Sequence, residues 1–398
     1  MTLSAKAQRV KESSTLAISA KAKALKESGQ NVISFTVGEP DFNTPPHIVD
    51  AARAALDAGF TKYTDSSGIL KLREAICGKL SRENGLSYKP GQIVVSNGAK
   101  HAIANACAAI LNEGDEVIIP APYWLTYPEV VTIAGGVPVV VQTDKATGYK
   151  ALASHIAPAI TKKTKALFLN SPSNPTGSVH TESELRDIAK LACERDIFVI
   201  SDEIYEHLIY EPGLAHVSIA SFNSDICERT IVINGLSKSF AMTGWRMGYT
   251  ASNEQIAKII SNVQSHQTSN INSITQMASI AAINGDQSCL AAMRGEFAKR
   301  RDYISGRVAA IRGFDSAVPA GAFYSFVDIS GLCGAAKSIT VNDAADFAAE
   351  LIAKTGVAIV PCADFGAPMH IRLSYALSMQ DIKEGMDRIE GFVTEHWG

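Results

Sequence analysis

The stretch Thr230-Ile-Val-Ile-Asn-Gly235-Leu-Ser-Lys238-Ser-Phe-Ala-Met-Thr-Gly-Trp-Arg246-Met-Gly248-Tyr-Thr250 contains two short runs that read as strands, Thr230 to Asn234 and Arg246 to Thr250. Between them one lysine stands among small residues, with an arginine eight positions later. A lysine amine can form a Schiff base with a carbonyl compound, and an arginine presents a planar, permanently charged fork that suits a phosphate. Glycines nearby let the backbone approach such a group closely. Taken alone, a lysine at the end of a strand is equally an ordinary surface residue.

The alternation continues outward. From about Gln92 to Ser252, short β-branched runs alternate with helical stretches, which predicts an α/β fold with a mainly parallel sheet covered by helices on both faces. The other expected strands are Ile93 to Ser96, Glu116 to Pro120, Val137 to Gln142, Ala166 to Asn170 and Phe198 to Ser201, giving seven. Helices are expected over Ala99 to Leu111 and Glu182 to Glu194, the second with Thr181 as N-cap and Glu184 completing a capping box. Polar clusters follow the strands directly: Asn97-Gly98-Ala99-Lys100, Asn174-Pro-Thr-Gly177, Asp202-Glu-Ile-Tyr205 and Ser237-Lys238. Ligands of open α/β sheets bind at the carboxyl ends of strands, so these clusters are expected to share one cleft. The Gly98 turn opens a helix whose N-terminus can hold a phosphate.

At 398 residues the chain is longer than one core usually serves, and two domains are expected. The boundaries read as an N-terminal arm and part of a small domain over 1–44, a large domain over 45–290 and a small domain over 291–398. The small domain is therefore a discontinuous α+β unit, with a long charged helix from Ala291 through Arg307 and a helix from Leu16 to Ser28 packing beside it. Hydrophobic residues make up 46% and charged residues 19%, the balance of an ordinary soluble protein. A net charge of -3 argues against nucleic acid or an acidic membrane surface as partner. The N-terminus lacks the apolar core of a signal peptide, and Val130 to Val141 is too short and broken to span a bilayer, so a cytoplasmic protein is expected. The seven cysteines are scattered without a Cys-x-x-Cys pair, which suggests no disulfide framework and no metal site; most read as buried and reduced.

Motifs spread from Lys11 to Tyr375 carry a more specific signal: Gly38-Glu-Pro-Asp-Phe42, Lys62-Tyr63-Thr64, Pro122-Tyr-Trp124, Ser171-Pro-Ser-Asn174-Pro-Thr-Gly177, Ser201-Asp-Glu-Ile-Tyr205, the lysine stretch, Gly321-Ala-Phe-Tyr324 and Arg372-Leu-Ser-Tyr375. With these, the chain resembles the class I aminotransferases of fold type I, closest to their bacterial aspartate aminotransferase branch. The resemblance implies a three-layer sandwich with a large domain that binds pyridoxal 5'-phosphate. It implies that Lys238 carries the cofactor as a Schiff base and then shuttles a proton, that Asp202 keeps the cofactor ring nitrogen protonated, and that Tyr205 and Asn174 contact its phenolic oxygen. Trp124 is implied to stack on the ring; Ser237, Arg246 and the Gly98-Ala99 backbone, beside Lys100, to hold the phosphate; and Tyr63 to reach the phosphate of a neighbouring subunit in a homodimer with shared sites. Arg372 and Gly38 are implied to receive the substrate α-carboxylate. Read without the resemblance, Asp202 is also an N-cap, Asn-Pro-Thr-Gly a plain turn, Trp124 core packing and Arg372 a strand-edge ion pair.

Substrate choice is written less clearly. Animal and enteric aspartate aminotransferases place an arginine in the segment that here reads Gln264-Ser-His-Gln-Thr-Ser-Asn270, which has none. Lys100 and Lys11 are the remaining cations for a distal carboxylate, and Glu12 departs from the branch's Lys-Pro-Ser pattern. The expected activity is ping-pong transfer of the amino group from L-aspartate to 2-oxoglutarate. The alternatives are the same reaction on an aromatic amino acid, alanine or prephenate, a lyase on the same fold, or a non-enzymatic regulatory module.

Overall fold

The computed structural model describes residues 2–5, 7–337 and 339–398. Seven strands form the central sheet: β1 (Ile93–Asn97), β2 (Glu116–Ala121), β3 (Val137–Gln142), β4 (Thr164–Asn170), β5 (Phe198–Asp202), β6 (Thr230–Gly235) and β7 (Met247–Ala251). Their order is β1-β7-β6-β5-β4-β2-β3, and only β7 runs antiparallel to its neighbours.

The apolar runs explain the layers. Side chains alternate across a strand, so a run buried on both faces must feed two cores. Val117, Ile119, Phe168, Ile200, Ile231 and Ile233 point into one cluster with Ala102 and Ile103 of the helix Ala99–Ile110 and Ile256 and Ile260 of the helix Glu254–Gln267. Ile118, Leu167, Leu169 and Val199, the residues between them, join Leu185 and Ile188 of the helix Glu182–Arg195 on the other face. That helix begins as expected: Thr181 Oγ1 accepts from Glu184 N–H, and Glu184 Oε2 accepts from Thr181 N–H at 2.8 Å.

One strand starts a residue later than its sequence suggests. Arg246 has φ of 56°, a left-handed conformation that ends the Thr243–Trp245 turn, so β7 begins at Met247. The expected helix after Ala291 runs from Ser288 to Ala310. The expectation that most cysteines are buried is corrected: Cys107 and Cys362 are, while the other five, all free thiols, sit half-buried at the margins of the packing.

The C-terminal part builds a three-stranded antiparallel sheet from Tyr324–Asp328, Val360–Pro361 and His370–Ser374. The N-terminal segment packs there. Ile33–Ser34 pairs with Val357–Ala358, Phe35 C=O accepts from Ser374 N–H at 2.9 Å, and Phe35 fills the space over Gly385. Phe35, Phe297, Phe323, Leu373 and Tyr375 share one core with Ile204, Tyr205 and Leu208 from the loop after β5. The two parts of the molecule thus meet at the residues that follow Asp202. No helix among the described residues is long and apolar enough to cross a membrane.

Candidate active site

The carboxyl ends of β1, β4, β5 and β6 open on a cavity of about 520 Å³, closed on its far side by Ser13, Thr15, Thr36 to Glu39, Tyr324 and Arg372. Of the residues expected at the site, all but Gly98, Tyr63 and Lys11 line it.

Lys238, three residues past β6, reaches Gly38 C=O across the cavity with Nζ, 5.8 Å from the Phe323 ring centroid and 5.9 Å from that of Tyr205. Burial lowers its pKa to about 8, Arg372 and Arg246 push the same way, and Glu39 and Asp202 oppose them. Asp202 ends β5 with 3% exposure. Its Oδ2 accepts from Tyr127 Oη at 2.7 Å and its Oδ1 from Ile204 N–H at 3.3 Å. Burial raises its pKa to about 6, and those two hydrogen bonds and Lys238 hold it from going higher. The N-cap reading of Asp202 fails, because turns and not a helix follow it.

Around Gly98 the backbone is crowded. Gly98 has φ of 83°, and a Cβ there would lie 2.4 Å from Arg246 Nη2. Gly248 on β7 passes so close behind that its Cβ would meet Ala99 N at 2.3 Å. Only glycine fits at both places. The helix N-terminus at Ala99, Arg246 and buried Ser237 therefore form one polar corner. Lys100 Nζ stands 5.1 Å over the Trp124 ring, and burial, then Arg246, lowers its pKa.

Opposite, Arg372 is buried on its strand. Nη1 donates to Asn174 Oδ1 at 2.8 Å and Nη2 to Thr36 C=O at 3.2 Å, while Nε has no hydrogen-bond partner among the described residues. The guanidinium lies 4.3 Å from the Tyr324 ring centroid. Its reading as a strand-edge ion pair fails, since no carboxylate meets it among the described residues. Tyr205 and Tyr324 hydroxyls are 2.9 Å apart, and burial raises the Tyr205 pKa well above the ordinary value, so it stays protonated.

Tyr63 is 90% exposed, and Lys11 is exposed with its backbone N–H donating to Glu129 Oε2 at 2.9 Å; neither faces this cavity. Gln264 is fully buried and bonded to Ser96, Asn105 and the carbonyls of Ser66 and Val95, while Ser265 to Thr268 after it are exposed and none of the segment lines the cavity. Three contributors carried no assigned role in the sequence reading. Tyr127 holds Asp202; Tyr324 spans Tyr205 and Arg372; Asn170 donates to Asp202 C=O at 3.0 Å and accepts from Asn174 N–H at 2.9 Å.

The chain is similar to known proteins along its whole length. The chain is 46% identical over 396 residues to an aspartate aminotransferase of Bacillus subtilis, with 100% of each chain covered. It is 42% identical to an aspartate/prephenate aminotransferase of Cereibacter sphaeroides over 98% of this chain and 98% of that one. Among solved structures, the Rhizobium meliloti aspartate aminotransferase superposes with a TM-score of 0.96 at 38% identity, covering 100% of both chains. A Thermus thermophilus aspartate aminotransferase solved with maleate gives 0.92 at 41%, over 98% of this chain and 99% of that one. Residues 30–389 match the pattern of aminotransferase class I and II, and the chain belongs to this family of pyridoxal-phosphate enzymes.

Proposed function

We propose that this enzyme moves the amino group of L-aspartate to 2-oxoglutarate, giving oxaloacetate and L-glutamate. The observation that carries the reading is that one cavity presents the Lys238 amine together with Arg372 and Lys100, apart from the Arg246 that would hold the phosphate. A four- or five-carbon dicarboxylate needs two such partners, and the Bacillus and Rhizobium relatives are named for aspartate.

The residues fit pyridoxal phosphate on structural grounds. Gly98 and Gly248 leave room that any Cβ would close, a buried carboxylate stands at Asp202, and the Lys238 amine is partly neutral near pH 7. Arg246, Ser237 and the Ala99 N–H would hold the phosphate, Asp202 the ring nitrogen, Tyr205 and Asn174 the phenolic oxygen, and Trp124 the ring face. When bound, the cofactor supplies a carbonyl carbon for Lys238 to attack and a ring that accepts the electron pair from the substrate α-carbon.

Arg372 binds the substrate α-carboxylate and so fixes which bond at the α-carbon faces Lys238. Its Nε, without a protein partner, is free for one of those oxygens. With its amine free, Lys238 Nζ would take the proton from the substrate α-carbon and hold it for return, the general-base role that its place in the cavity allows. Tyr127 keeps the Asp202 carboxylate ionised and aimed. Tyr63, exposed and turned from its own cavity, serves the site of a second copy in a homodimer working in the cytoplasm. The aspartate/prephenate relatives favour prephenate as a second acceptor.

Turnover on a panel of amino acids tests the reading. Aspartate is expected to lead, and Lys100→Ala is expected to raise its KM roughly 10- to 100-fold, the loss of one charge-assisted bond of ~1.5–3 kcal/mol. Alanine and phenylalanine should barely change. Equal effects on all three would remove Lys100 from substrate binding.

A further inference from the structure

The segments carrying Asp202 and Tyr205 on one side and Lys238 on the other leave the adjacent parallel strands β5 and β6. The paired register stops at Asp202 opposite Ile233, and a last backbone bond runs from Glu203 N–H to Ile233 C=O at 2.9 Å. Beyond that point the sheet no longer sets their relative position. The hydrogen bonds that tie them together there come from side chains on the face turned away from the cavity.

Glu206 is the centre of this arrangement. It is 8% exposed, and Asn234, at the end of β6, is 1% exposed. Glu206 Oε1 accepts from Asn234 Nδ2 at 2.8 Å and from the Lys79 ammonium, and Oε2 accepts from Asn84 Nδ2 at 2.7 Å. Asn234 Oδ1 in turn accepts from Gly235 N–H at 2.7 Å, three residues before Lys238. A second tie lies alongside, between His207 Nδ1 and Ser239 Oγ at 2.9 Å. All three groups on Glu206 are donors, so an amide at this position would turn its own N–H₂ against one of them; the arrangement calls for a carboxylate. Lys79 compensates its charge, and burial, which alone would raise the Glu206 pKa, is overcome by Lys79 and the nearby histidines, so the carboxylate stays ionised.

We propose that Glu206 is a positioning residue: through Asn234 it locks the loop of Lys238 against the turn of Asp202 and Tyr205, and so sets the reach of the lysine amine over the cofactor. The inference rests on the reading of Lys238, Asp202 and Tyr205 given above, and it adds a residue that touches neither cofactor nor substrate.

The test is a double-mutant cycle on the holoenzyme with Asn234→Ala and Glu206→Gln. Measurements are kcat, KM for the amino acid, the pH midpoint of the cofactor's visible absorption, and Tm. Each single variant is expected to lower kcat about tenfold or more, with KM within about threefold, and to move the absorption midpoint by roughly half a unit or more; the double variant is expected to add little, because the two groups act through one contact. Leu351→Ala, a cavity in the C-terminal core, serves as the stability control, lowering Tm while leaving kcat and the midpoint in place. If Glu206→Gln does not fold, the charge-balanced Lys79→Met/Glu206→Gln pair replaces it in the cycle. Variants that lose Tm yet keep the wild-type kcat per bound cofactor and the wild-type midpoint would overturn the proposal, as would single effects that multiply in the double. Borohydride treatment of the wild-type holoenzyme keeps the two readings apart. If no cofactor is trapped on Lys238, the reading of the site fails; if it is trapped and the cycle is silent, only the role of Glu206 fails.

Discussion

Replacing Tyr127 by Phe removes one oxygen from a place where little else changes. The ring is 2% exposed, stacks on Phe168 at 4.4 Å between centroids and meets Trp124 edge-on at 5.5 Å, so a phenyl group keeps the packing. What is lost is the hydrogen bond to Asp202 Oδ2, in a site where the carboxylate already carries a burial-raised pKa of about 6. A hydrogen bond to a charged group contributes ~1.5–3 kcal/mol, which at ~1.4 kcal/mol per unit raises the Asp202 pKa by roughly one to two units. The sign is that of an acid losing a partner of its ionised form, so the anion is depleted around pH 6–7 and recovered by about pH 9. Cofactor binding that needs the Asp202 anion should then weaken by about 5- to 50-fold at pH 6 and about 2- to 10-fold at pH 7, with the difference from wild type closing towards pH 9. Titrating cofactor-free enzyme with pyridoxal phosphate across that range, followed by absorbance, measures it. A Kd ratio that does not vary with pH, or no change in Kd, would show that Tyr127 does not act through the Asp202 anion.

Three further expectations follow from the same geometry. Gly248→Ala should cost several kcal/mol of stability, read as a fall in Tm, because its Cβ would press within 2.3 Å of Ala99 N, and a variant as stable as wild type would deny that close approach. Arg372→Lys should raise KM for every amino acid about 10-fold or more, since a point charge cannot reproduce the fork that grips a carboxylate, and steady-state kinetics on aspartate and alanine should show it for both. The rate at which cofactor-free enzyme captures pyridoxal phosphate should climb with pH through half its plateau near pH 8, where the Lys238 amine is half neutral, and level off about a unit higher, and a rate still rising steeply at pH 10 would contradict the lowered pKa.

The sheet was legible because its central strands are buried on both faces and so read as unbroken β-branched runs, such as Ile231-Val-Ile233 and Val199-Ile200. Four strand ends carried the polar clusters, and the motifs then attached chemistry to Lys238, Asp202 and Arg372. The small-domain pairing of Ile33–Ser34 with Val357–Ala358 was not legible, because two-residue strands far apart in sequence leave no periodicity. Tyr127 and Tyr324 escaped for another reason: a buried tyrosine on an apolar face looks like core until its hydroxyl is seen to meet a carboxylate or a second hydroxyl. Glu206 and Asn234 look like ordinary polar residues in the sequence, and only folding puts them in contact.

The central claim is an amino transfer from aspartate that runs through Lys238. The most direct measurement mixes purified holoenzyme with L-aspartate alone and follows oxaloacetate released against enzyme sites. One equivalent per site is expected, with continued turnover only after 2-oxoglutarate is added and no release from Lys238→Ala. Release from Lys238→Ala, or none from wild type under conditions where another amino acid reacts readily, would contradict it.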